Sequence, residues 1–69
     1  MTELQIKIIK SYARNDMHLS NTSNELHYHP NGIRYHMNKI KDETGLDPRK
    51  FYDLVKLLIS VNGGDFNDL

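Results

Sequence analysis

TSNELHYHPNGIRYHMNKIKDETGLD, residues 22–47, reads as a short polar helix, a tight turn and a second helix with a sharply marked start. Proline presets φ and lacks the donor that a first helical turn leaves unpaired, so Pro30 belongs at the first helical position with His29 as its cap. Ile33, Met37, Ile40 and Thr44 then recur at i, i+4, i+7 and i+11, which predicts one inward stripe on a helix over residues 30–44. Gly45 closes that helix as a left-handed terminator, and Lys39 and Lys41 lie near its negative end.

The preceding helix is expected over residues 20–27. Ser20 can cap it; so can Thr22, because Thr22-Ser23-Asn24-Glu25 has the S/T-x-x-E form of a capping box. Leu26 is its main inward anchor, and the small Ser23 lets another helix approach. His27 stands where the turn wants left-handed backbone, and His is among the non-glycine types enriched at positive φ. Tyr28 is expected to plug the core.

Outward from this pair, a first helix is read over residues 2–14, with Ile6, Ile9, Tyr12 and Ala13 on one stripe and Met1, Leu4 and Ile8 on a neighbouring one. Asn15-Asp16 ends it. By the same cap-plus-proline logic, Asp47-Pro48 is expected to begin a last helix over 48–61, stopped by Asn62-Gly63-Gly64, with residues 63–69 expected as a flexible tail. The expected fold is therefore all-α: a small four-helix domain over residues 1–62 containing a helix-turn-helix, whose turn and third helix resemble the Fis type, a Fis-like arrangement.

A chain of 69 residues forms one domain and buries only about 60% of the surface its unfolded form exposes. With no cysteine there is no disulfide framework. No apolar run approaches the roughly 20 residues that span a bilayer, and no signal-peptide pattern is present, so a cytoplasmic location is expected. His18, His27, His29 and His36 lack a carboxylate or thiolate partner completing a tetrahedral set, so neither a metal nor another cofactor is expected. No nucleophile–base constellation or phosphate-cradling loop appears, which argues against an enzyme.

Net charge is zero, yet it is unevenly spread. Residues 1–41 carry Lys7, Lys10, Arg14, Arg34, Lys39 and Lys41 against Glu3, Asp16 and Glu25, whereas the remainder has the opposite imbalance. No acidic residue lies between Glu25 and Asp42, a span that holds three of the four histidines. Opposite the inward stripe, the 30–44 helix presents Asn31, Tyr35, Asn38 and Asp42, flanked by Arg34 and Lys39. Asparagine pairs with adenine and arginine with guanine, while lysine and backbone N–H groups hold phosphates. The expected partner is double-stranded DNA, with Asn31, Tyr35 and Asn38 facing bases and Arg34 suited to either task. Lys39, Lys41, Ser20 and Thr22 are assigned to phosphates. Gly32 allows close backbone approach, and His29 lies at the same helix start.

The 22–47 string resembles the C-terminal helix-turn-helix domain of PucR-type transcriptional regulators, the group of purine-catabolism and sugar-diacid regulators. That pattern reads approximately T-A-x-x-L-x-V-H-x-N-T-L-R-Y-R-L-x-K-I-x-x-x-T-G-L-D. Thr22, Leu26, His29, Asn31, Arg34, Tyr35, Lys39, Ile40, Thr44, Gly45, Leu46 and Asp47 match it. Ser23 stands in place of Ala, Gly32 in place of Thr and His36 in place of Arg. The resemblance implies an operator-binding domain with Asn31, Arg34, Tyr35 and Lys39 in its recognition helix, and an N-terminal sensory region as a further partner.

The competing expectation is a protein-interaction or dimerisation module on the same scaffold, without specific DNA binding. The last helix carries Phe51, Leu54, Val55 and Leu58 on one stripe, with Leu57, Ile59 and Val61 elsewhere. Leu4, Ile8, Leu57 and Val61 are the expected homodimer contact.

Overall fold

A computed structural model of the protein describes residues 1–62; the tail expected over 63–69 lies outside the described residues. The described chain consists of four helices and no strand: α1 (Glu3–Arg14), α2 (Leu19–Leu26), α3 (Pro30–Thr44) and α4 (Phe51–Val61). α1 packs against each of the other three helices, and α2 packs against α3. The core gathers Ile8, Ile9 and Tyr12 of α1, Ile33, Met37 and Ile40 of α3, and Leu54, Leu57 and Leu58 of α4. Those three α3 positions are the inward stripe expected from their spacing. Thr44 departs from it: the residue is exposed, and its hydroxyl donates back to the Ile40 carbonyl at 2.6 Å.

Each helix start shows which local signal prevailed. Thr2 caps α1 in a full capping box, its hydroxyl accepting from the Gln5 N–H while the Gln5 side chain accepts from the Thr2 N–H. The chain reverses after α1 through Asp16 and Met17, both at positive φ (54° and 64°). Asp tolerates this geometry, and Met17 is held there by packing against the core. α2 then begins at Leu19, with His18 at the cap position, so neither Ser20 nor Thr22 caps it. Thr22 is fully buried one turn inside the helix and donates its hydroxyl to the His18 carbonyl at 2.8 Å.

Glu25, the other half of the expected capping box, instead reaches across to α1. Its carboxylate accepts from the Ser11 hydroxyl, from Arg14 at 3.1 Å and from Asn15 Nδ2 at 2.9 Å. A long-range cluster of three donors outcompetes the local pattern.

α4 starts three residues later than expected. The Asp47 carboxylate accepts from the Arg49 backbone N–H at 3.0 Å and its Nε at 2.9 Å, and the Asp47 N–H donates to Asp53 Oδ2 at 3.0 Å. These bonds hold residues 47–50 as a turn beside the buried Pro48. On α4 the buried face is Leu54, Leu57 and Leu58, whereas Phe51, expected on the inward stripe, is 62% exposed.

Two residues of the expected homodimer contact, Ile8 and Leu57, are also corrected. Ile8 and Leu57 are 0% and 1% exposed within the protein's own core, and Leu4 and Val61 are half-buried. The apolar surplus on α1 is consumed internally because three helices pack around it.

The Glu25 cluster makes folding pH-dependent. The Ser11 hydroxyl, then Arg14 and Asn15, hold the Glu25 carboxyl below its ordinary pKa against a smaller opposing effect of burial. A folded-state pKa below the unfolded one stabilises the fold above the unfolded value, about 4.3, and that contribution disappears as pH falls through the folded value. Urea denaturation of the protein and of Glu25→Gln between pH 7 and pH 3 checks this. The two stability curves should converge toward the acid end; a constant separation across the range would contradict the assignment.

Candidate nucleic-acid interface

The turn between α2 and α3 is closed from both sides. His27 adopts φ 52° and ψ 45°, the left-handed conformation expected of it, and ends α2. The Tyr28 N–H donates to the Ser23 carbonyl at 3.0 Å, and the Ser23 hydroxyl donates back to the Tyr28 carbonyl. Thus Ser23, where the family pattern has Ala, gains a turn-closing bond. His29 caps α3 as expected, its Nδ1 accepting from the Asn31 N–H at 3.1 Å.

Tyr28 does not plug the core. It is 36% exposed and lies over the start of α3. A Cβ placed on Gly32 would stand 2.4 Å from Tyr28 Cε1 and 2.9 Å from Cδ1. The ring therefore occupies the space that a Thr side chain at position 32 would need. Tyr28 and His36 have ring centroids 6.0 Å apart, and Tyr35 meets His36 edge-on at 5.3 Å. Three positions that differ from the family pattern (28, 32 and 36) thus form one local packing exchange: a larger ring, no side chain beneath it and a flat imidazole beside it.

With Ile33, Met37 and Ile40 buried, the opposite side of α3 is open. Asn31, Arg34, Tyr35, Asn38, Lys39 and Lys41 are all exposed, whereas Gly32 is half-buried. The exposed groups contact one another. Arg34 donates to Asn31 Oδ1 at 2.8 Å, and the Lys39 ammonium stands 5.6 Å from the Tyr35 ring centroid. His29 and Ser20 are exposed beside this face or on the neighbouring helix. Thr22 is not, and its buried, engaged hydroxyl cannot reach a phosphate; this corrects its expected role.

Arg49 was absent from the sequence reading of this face, which placed it inside the last helix. It is held by Asp47, and its Nη2 donates to Asn38 Oδ1 at 2.8 Å, so the 47–50 turn joins α3. The findable signal was the Asp-Pro-Arg spacing itself, which suits a carboxylate accepting from the backbone two residues on.

A cleft of ≈ 300 Å³ lies apart from α3, lined by residues such as Met17, Phe51, Leu54 and Leu58. Among the described residues, no three His, Cys, Asp or Glu side chains gather as a metal ligand set. No described helix is long and apolar enough to cross a membrane.

A family model described as the PucR C-terminal helix-turn-helix domain matches residues 5–62. Comparison with curated proteins and with solved structures gives no match.

The Tyr28–Gly32 exchange is testable by a double-mutant cycle. In an open helical site Gly→Ala stabilises by about 1 kcal/mol. Gly32→Ala should stabilise the protein less than that, or destabilise it, while the same change in a Tyr28→Val background should recover the full gain in thermal or urea denaturation. Equal effects in both backgrounds would contradict the packing account.

Proposed function

The chain belongs to the PucR C-terminal helix-turn-helix domain family, and on that premise we propose that it binds double-stranded DNA sequence-specifically through the outer face of α3 to regulate transcription, without catalysis. The observation that carries this reading is the exposure of Asn31, Arg34, Tyr35, Asn38, Lys39 and Lys41 along one helix whose Ile33, Met37 and Ile40 are turned inward.

An α-helix with its side chains is about 10–12 Å across, close to the roughly 12 Å width of the B-DNA major groove. Net neutrality is no obstacle, because counterion release depends on the phosphates that the contacting face neutralises. In this reading Asn31, Tyr35 and Asn38 face base edges, and Lys39, Lys41 and Ser20 hold the backbone. His29 and Gly32 lie where the start of α3 comes nearest the duplex. Arg34, already donating to Asn31, is placed for a guanine edge or a phosphate. The site of action is the cytoplasm, and an N-terminal sensory region is the partner that would convey the signal.

A second reading, a protein-contact module, is supported by the aromatic start of α4. Phe51, Tyr52 and Ile59 are 62%, 78% and 42% exposed, and the first two rings meet edge-on. These exposed residues, unlike the buried Ile8 and Leu57, are apolar groups available to a partner.

Selection of bound duplexes from a random pool at two salt concentrations tests the proposal. An enriched motif that persists at the higher salt is expected; recovery of unenriched pool would contradict sequence-specific binding. On the recovered motif, Arg34→Ala should weaken binding by about 1–3 kcal/mol and relax one base position if Arg34 reads guanine. Lys41→Ala should lower the salt slope by about 1 without altering base preference. Titrations followed by fluorescence anisotropy read both, and unchanged affinity for either variant would remove that residue from the interface.

A further inference from the structure

Arg49 lies outside α3, yet it controls what one residue of α3 can offer. Its Nε and backbone N–H are held by the Asp47 carboxylate, and its Nη2 reaches Asn38 Oδ1. Arginine is only a donor, so the atom it meets on Asn38 must be the amide oxygen, and the Asn38 NH2 group is the end left to face outward. The turn that carries Arg49 is itself pinned, by the buried Pro48 on one side and the Asp47–Asp53 bond on the other.

The chemistry of base reading follows from this. Asparagine recognises adenine by accepting from its N6 amino group while donating to N7. With a guanidinium on its oxygen, Asn38 can still donate but is a poor acceptor, because the adjacent cation repels the hydrogens of an approaching amino group. Resting on the DNA-binding reading above, we propose that Arg49 is a specificity-determining residue: by holding the Asn38 oxygen it leaves Asn38 only its NH2 donors, which select guanine or thymine over adenine. Asn31, seven residues earlier on the same helix face, has its oxygen held in the same way by Arg34. Guanine offers N7 and O6 as adjacent acceptors and thymine offers O4, whereas adenine sets a donor beside its N7, which a donating amide cannot satisfy.

The experiment compares the duplexes selected by the wild-type chain, Asn38→Ala and Arg49→Ala. The base position that loses its preference in Asn38→Ala marks what Asn38 reads. At that position the wild type should disfavour adenine about tenfold, the equivalent of one good hydrogen-bonding contact. Arg49→Ala should bring adenine to within about twofold of the preferred base. An identical base profile for wild type and Arg49→Ala would overturn the proposal while leaving DNA reading intact. So would adenine already preferred by the wild type, or a uniform loss of affinity in Arg49→Ala with no change of base. Absence of any enriched motif with the wild type would overturn both readings.

A second measurement needs no DNA. Burial works to raise the Asp47 pKa, but hydrogen bonds from the Arg49 side chain and backbone, with the charges of Arg49 and Lys41, hold it below its ordinary value. In an NMR titration Arg49→Ala should raise the Asp47 midpoint and shift the Asn38 side-chain amide resonances. Asp47 and Asn38 signals that do not respond would show that the clamp is not formed, and the proposal would fall.

Discussion

Burial of Ile33, Met37 and Ile40 against the Ile8, Ile9 and Tyr12 side of α1 fixes the rotation of α3 about its own axis, and the rest of the structure depends on that setting. A helix has no other way to choose which residues face water. Turning α3 by one residue would expose an isoleucine and bury Arg34 or Asn38, at the cost of lost apolar burial and of desolvating a charge or amide without partners. The open face of α3 is therefore the complement of its core stripe. α1 makes this possible by packing against all three other helices. Its wide apolar arc, which would be excessive for a single contact, is what a central helix needs.

Polar bonds then set the details at both ends of α3. At the start, His29 and the doubly bonded Ser23–Tyr28 turn define how the chain enters the helix. Past its end, Asp47 organises the turn that brings Arg49 back to Asn38. Departures from the family pattern at 28, 32 and 36 are absorbed locally by the tilted and edge-on rings of Tyr28, Tyr35 and His36, so they leave the core stripe unchanged.

Much of this was legible in the sequence because the deciding signals act within one turn of helix. Proline at position 30, His29 before it, left-handed backbone at His27 and the apolar spacing from Ile33 to Ile40 each specify their own surroundings. The misread features have partners distant in the chain. Thr22 to Glu25 has the form of a capping box, but Ser11, Arg14 and Asn15, ten or more residues away, compete for the Glu25 carboxylate. Asp47-Pro48 has the form of a helix start, but Asp47 uses its carboxylate on Arg49 and its N–H on Asp53. Ile8 and Leu57 looked surplus only because the number of helices meeting α1 is a tertiary fact. The same reason hid Arg49, whose bond to Asn38 spans the end of one helix and the turn beyond it.

Which surface of the protein meets a duplex is tested most directly by residue-by-residue observation of the complex. Titration of the 15N-labelled protein with a B-form DNA duplex at low salt should shift the backbone and side-chain signals of Asn31, Arg34, Tyr35, Asn38, Lys39 and Arg49. Those of Tyr52 and Ile59 on α4 should stay in place. Perturbations confined to α4, or spectra unchanged by excess duplex, would contradict the claim that the outer side of α3 reads DNA.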